Sequence, residues 1–258
     1  MSAEMICDVC LKKIDSEKPE IHKNCRKAIE FTKYSNIEDY SNLKELIEKH
    51  LPVSAKFDEI KRTELASKPG LIILNNRVVA LSMVGCNLTE FPKELCNLVY
   101  LRELHLSKNS IQVIPSEIQQ LKKLKELYLD SNNIAEIHPN IQFLTRLLKL
   151  NLNNNKITEI PKELLLIKGL EQLDMDENKI TKIPDEIENL WILNHASFKD
   201  NTIEELPEAI LKIRQLSDLF VTPNDALLKK YPELELKEDA KVWTHKLSQH
   251  YRTKNEGN

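Results

Sequence analysis

The sequence predicts an α/β solenoid in which seven successive coils each contribute one strand to a continuous parallel sheet. Three observations predict it. A strict 23-residue period runs without insertion from Val78, with first positions at Leu101, Leu124, Leu147, Leu170, Leu193 and Leu216. An asparagine returns in phase at Asn109, Asn132, Asn155, Asn178, Asn201 and Asn224. A proline returns in phase at Pro92, Pro115, Pro161, Pro184 and Pro207.

Each recurring residue has a physical role. Leu104 and Leu106, Leu127 and Leu129, Leu150 and Leu152, and Leu173 and Met175 alternate with period two, as a strand with one buried face requires. The asparagine three residues on stands at a buried turn. Its amide can both donate to and accept from the backbone of neighbouring coils, which offsets a burial cost of roughly 1–3 kcal/mol. Cys86 takes that place in the first unit. Proline, with φ fixed and no N–H, suits the first turn of the helix-like x-E-I-x-x-L segment that follows it on the convex side. The third unit departs at Ile137-His138-Pro139, which predicts an altered convex turn, and the sixth replaces two leucines with Ala196 and Phe198.

A stack of coils buries its apolar faces only against neighbours, so both ends need covers. Leu43, Leu46 and Ile47 share one face of a predicted helix near 40–50, and LIIL at 71–74 follows, which together predict an N-terminal cap over 36–77. At the other end Ala240, Trp243 and Leu247 stand at helical spacing, predicting a C-terminal cap helix within 225–258. The repeats occupy 78–224.

These units resemble the I-P-x-E-I type of intracellular leucine-rich repeat (LRR) found in Ras-associated scaffold proteins and their plant relatives. The resemblance implies a curved, right-handed solenoid, or horseshoe, with the parallel sheet lining its concave side. It also implies protein partners such as a small GTPase or a phosphatase subunit, and a part in GTPase or kinase/phosphatase signalling. The matching residues are structural, so they do not select the partner.

Partner contacts are expected from strand residues that point away from the leucine core. The central column reads Ser82, His105, Tyr128, Asn151, Asp174, Ser197, Phe220. The flanking columns begin at Ala80 and Glu103 on one side and at Val84, Ser107, Asp130 and Asn153 on the other. The candidate binding residues are His105, Tyr128, Asp130, Asn151, Asn153, Asp174, Asp176, Glu177, Lys199 and Phe220. Tyr128 and Phe220 are aromatic anchor candidates. Glu171, Asp174, Asp176, Glu177 and Asp200 are expected to form one acidic patch for a basic partner.

Cys7-x2-Cys10 and His22-x2-Cys25 have the spacing of a tetrahedral Zn²⁺ site, and the segment 1–35 resembles a shortened half of a LIM or treble-clef finger. Four protein ligands leave no open position, so the expected zinc is structural.

Several function classes are excluded. The four glycines, Gly70, Gly85, Gly169 and Gly257, are too widely spaced for phosphate-binding loops or a nucleophile elbow, and no histidine pair reads H-E-x-x-H. Lys+Arg 37 against Asp+Glu 40 leave a net charge of -3, so no global field favours nucleic acid or an anionic membrane. The N-terminus lacks a leader pattern and no apolar run approaches bilayer length, which predicts a cytoplasmic chain with no membrane span. The expected function is a non-catalytic protein-interaction scaffold. The alternative is nucleic-acid binding by the finger through Lys12, Lys13, Lys23, Arg26 and Lys27, whose charges Asp8, Asp15, Glu17 and Glu20 offset.

Overall fold

The computed structural model describes residues 37–51, 58–221 and 224–230. Helix α1 (Tyr40–His50) precedes strands β1 (Asp58–Glu59), β2 (Gly70–Leu74) and β3 (Arg77–Ser82). Strands β4 (Glu103–His105), β6 (Glu126–Tyr128), β8 (Lys149–Asn151), β9 (Gln172–Asp174), β10 (His195–Ser197) and β11 (Asp218–Phe220) follow, then helix α2 (Asp225–Lys230). With β1 and β2 they form one sheet in the order β1-β2-β3-β4-β6-β8-β9-β10-β11. Two further strands, β5 (Val113–Ile114) and β7 (Glu136–Ile137), pair in parallel with each other outside it.

The 23-residue phase becomes strand register. Leu81, Leu104, Leu127, Leu150, Leu173, Ala196 and Leu219 are successive partners along the parallel ladder from β3 to β11. All are at most 1% exposed, so one face of the sheet closes on the core. In the sixth coil a small Ala196 and a large Phe198, 1% and 0% exposed, exchange volume while keeping the interior filled.

The asparagines form a ladder between coils. Asn155 Nδ2 donates to the Leu129 carbonyl of the preceding coil and to Leu152 of its own, both at 3.0 Å, while its Oδ1 accepts from Ile134 N at 2.9 Å. Asn132, Asn178 and Asn201 repeat this set, and Asn109 and Asn224 do so at the ends. The bonds reach back one coil. Cys86 has no equivalent coil behind it, and its thiol makes only a long contact of 3.8 Å to the Val84 carbonyl. The residue before each asparagine from 109 to 201, namely Lys108, Ser131, Asn154, Glu177 and Asp200, has φ between 53° and 57°, a left-handed turn.

The convex segments are 3₁₀ turns rather than α-helix. Pro92, Pro115, Pro184 and Pro207 stand immediately before them with extended φ and ψ. The expectation of an altered convex turn in the third unit is corrected: Pro139–Phe143 keeps the length and phase of Ser116–Gln120. His138 substitutes for proline at the cap, its Nδ1 accepting from Asn140 N at 3.1 Å. The fourth unit departs instead, with its 3₁₀ turn limited to Leu164–Leu166.

Before the coils, β2 runs antiparallel to β3 through Asn75 and Asn76, whose φ values of 50° and 58° make the primed turn that two-residue hairpins favour. Leu43, Leu46 and Ile47 of α1 are buried in the main core. Asp39 ties the start of α1 to β3, accepting from Val78 N at 2.8 Å. At the far end Leu227 of α2 is also buried in that core. The expected ligands Cys7, Cys10, His22 and Cys25, and the expected C-terminal helix around Trp243, lie outside the described residues.

Candidate functional site

The sheet face opposite the leucine core divides into two parts. Over the first coils the chain covers itself: Ile60 and Leu65, from the segment joining β1 to β2, pack with Ala80 and Ile72 in a second apolar cluster. Ser82 is sealed there at 0% exposure, its hydroxyl without a hydrogen-bond partner. Arg62 extends from the same segment across two coils, its Nε 2.9 Å from Glu103 and its Nη2 3.0 Å from Glu126.

Under Arg62 the side chains interlock. His105 Nε2 lies 2.9 Å from Glu103, and its ring stacks on Tyr128 at 4.3 Å between centroids. Tyr128 donates its hydroxyl to Glu126 at 2.8 Å. Burial alone would raise the Glu103 pKa, but the bonds from His105 and the charge of Arg62 outweigh it and hold the carboxyl below its ordinary value. Burial and the bond to Glu126 push the Tyr128 phenol well above its own. Two sequence expectations are corrected here. His105 is only 4% exposed, and Tyr128 is half-buried rather than a free anchor. The physical reason is non-local: the segment joining β1 to β2 folds over the face, and nothing in the repeat phase encodes it.

Beyond Tyr128, as far as β11, the face is not covered in this way. Asp130, Asn151, Asn153, Asp176 and Lys199 are half-buried and Phe220 is 38% exposed. The polar side chains are fixed mainly by one another. Asn151 Oδ1 accepts from Asn153 N at 3.0 Å, and Asn153 Oδ1 accepts from Asp176 N at 2.7 Å. Asp130 accepts from Ser107 at 2.6 Å.

The expected acidic patch is also corrected. Asp174, 9% exposed, accepts from Gln172 Nε2 and pairs with His195 Nε2, both at 2.9 Å. Asp176 accepts from Ser197 Oγ at 2.5 Å and Lys199 N at 2.8 Å, and Lys199 Nζ is 3.4 Å away. The next coil therefore supplies a partner to each central carboxylate, the His195 imidazole to Asp174 and the Lys199 ammonium to Asp176. Glu177 and Asp200 stand exposed on the left-handed turns that leave the strands, whereas Glu171 precedes its strand at the opposite rim. The same columns place an aromatic–cation group at the end: Lys199 Nζ lies 5.2 Å from the Phe220 ring centroid and the His195 ring 5.6 Å from it. The Asp174 bond raises the His195 pKa, with burial opposing and the charges of Asp218 and Asp176 assisting.

Among the described residues no group of three or more His, Cys, Asp or Glu side chains is placed to hold a metal ion.

Residues 76–134 and 122–180 match the family model for a leucine rich repeat. No curated protein matches the chain. Among solved structures, a leucine-rich-repeat protein of Leptospira interrogans is 32% identical with a TM-score of 0.57, covering 61% of this chain and 42% of that one. The PEPR1–AtPEP1 structure is 27% identical with a TM-score of 0.60, over 71% of this chain and 28% of that one. A TDR receptor is 25% identical with a TM-score of 0.54, over 57% and 26%. The chain thus spans less than half the length of each of these proteins. Over residues 76–180 the register, asparagine ladder and family match agree on leucine-rich repeats carrying a parallel sheet, and the ladder continues in the same register to β11.

Proposed function

We propose that this protein is a non-catalytic interaction module that holds a protein partner on the sheet face between β6 and β11. One observation carries the reading: that face presents polar and aromatic side chains already fixed by coil-to-coil hydrogen bonds, from Asn153 and Asp176 to Lys199 and Phe220. A pre-organised surface loses little side-chain freedom on association. Leucine-rich repeats commonly mediate protein–protein contacts, and a receptor is among the similar structures. Phe220, exposed and flanked by Lys199 and His195, is the proposed anchor, and the partner carries a carboxylate or apolar group to meet it.

A small GTPase or phosphatase subunit remains our proposal for the partner, and the cytoplasm for the compartment. Affinity capture with mass spectrometry tests the face by comparing wild type with Phe220→Ser/Lys199→Glu and with the convex variant Lys162→Glu. Loss of a partner in the first variant alone is expected. A captured set that survives the first variant unchanged removes the sheet face as the binding site.

We propose separately that Cys7, Cys10, His22 and Cys25 bind one structural Zn²⁺, because three thiolates and an imidazole are a donor set this ion favours. Metal content of the purified full chain tests it: about one zinc per chain is expected, lost on Cys7→Ser/Cys10→Ser.

A further inference from the structure

Six turns lead from the convex side into the strands: 97–102, 120–125, 143–148, 166–171, 189–194 and 212–217. Together they contain eight lysines or arginines and a single carboxylate, Glu171, in a chain whose overall net charge is -3. Lys212 pairs with Glu188, and Lys123 lies 3.6 Å over the Tyr100 ring. The remaining six, Arg102, Lys122, Lys125, Arg146, Lys168 and Arg214, are exposed, and among the described residues none has a carboxylate within ion-pair distance. Elsewhere the pattern differs: on the convex side Lys49, Lys93 and Lys162 each meet a glutamate from a neighbouring element.

The coil stacking concentrates these charges. Lys125 N donates to the Arg102 carbonyl and Leu148 N to the Lys125 carbonyl, both at 2.8 Å, so Arg102 and Lys125 occupy adjacent rungs about 4.8 Å apart. Apolar side chains occupy the same turns. Val99, Phe143, Leu166 and Trp191 are 42%, 45%, 47% and 60% exposed, four of the seven large hydrophobics exposed among the described residues.

We infer that this rim is a docking edge for an anionic lipid bilayer surface. Lysines and arginines near such a surface are attracted by its negative potential, while aromatic and aliphatic side chains enter the headgroup boundary, tryptophan above all. Cations alone would suit nucleic acid equally. Interleaved Phe143, Leu166 and Trp191 do not, because nucleic-acid contacts are more polar and the phosphate row offers those side chains nothing to bury against. The rim adjoins the sheet face without including it, so a chain held this way keeps the face between β6 and β11 available to a partner.

Vesicle co-sedimentation of the full chain tests the inference, using phosphatidylcholine vesicles with and without a third of phosphatidylserine. Wild type is expected to partition onto the anionic vesicles and to be released by high salt. Lys122→Glu/Lys125→Glu/Arg146→Glu is expected to lower that partitioning roughly 100-fold or more. Lys108→Glu/Lys156→Glu/Lys179→Glu, which changes net charge equally on the opposite rim, is expected to retain most of it. Independently of either variant, the wild-type emission component that Trp191→Phe removes is expected to shift to the blue on anionic vesicles. Absence of wild-type binding to anionic vesicles, equal losses in the two triple variants, or retention of a short DNA duplex in place of vesicles would each overturn the inference.

Discussion

His195 Nε2 lies 2.9 Å from Asp174 Oδ1, a pair formed across neighbouring strands by residues 21 apart. The bond raises the imidazole pKa above its ordinary 6.5, with Asp218 and Asp176 contributing the same sign and burial the opposite one. A raised folded-state value means that the pair's contribution to stability is complete below the unfolded pKa and is lost as pH rises through the folded one. An NMR titration is expected to place the His195 midpoint above 6.5, and Asp174→Asn to lower it. A midpoint unchanged by that substitution would show that the hydrogen bond does not form in solution.

Asn155 satisfies backbone groups of two coils at once. Asn155→Ala leaves the Ile134 N–H unpaired inside the stack, while the Leu129 and Leu152 carbonyls keep Asn132 Nδ2 and Asn178 Nδ2 as donors. At about 1–3 kcal/mol for a buried group left unsatisfied, a loss of about 2 kcal/mol is expected in urea unfolding. A loss below about 1 kcal/mol would mean that water replaces the amide.

Glu177 holds φ at 53° on an exposed turn, a conformation that costs most side chains about 1–2 kcal/mol. Asparagine tolerates it better and a β-branched residue worse. Thermal melts are therefore expected to rank Glu177→Asn above wild type and Glu177→Val below it, with steps of about 0.5–1 kcal/mol.

Leu65 is fully buried in the small cluster over Ala80 and Ile72. Leu65→Ala is expected to cost about 3 kcal/mol locally, and hydrogen exchange of β2 and β3 to rise while β8 to β10 stay protected. Arg62→Ala, by contrast, removes ion pairs of a guanidinium that is 68% exposed and is expected to change stability by less than about 1 kcal/mol. If Leu65→Ala left exchange in β2 and β3 unchanged, the segment would not be what closes the first coils.

Much of the repeat architecture was legible in the sequence because its determinants are local and repeated. Leu104 to Leu106 alternation, the proline before most convex turns and the asparagine ladder recur in one phase, so an error in one coil is corrected by the others. The β2–β3 hairpin has a local signal too, Asn75-Asn76 between two apolar runs, with a side-chain type that tolerates the positive φ its turn requires. The acidic patch misled for a different reason. Charges read off columns carry no partners, and Lys199 and His195 enter only when neighbouring strands are placed beside Asp176 and Asp174.

By itself the sequence determined the coil, its period and the parallel register, since each follows from short-range geometry imposed on every turn. Only the tertiary structure decided which part of the sheet face stays open. Ile60, Arg62 and Leu65 reach that face through contacts between segments that no period relates. It also decided that six cations scattered in a nearly neutral chain share one rim, because stacking sets turns that are 23 residues apart one strand spacing from each other.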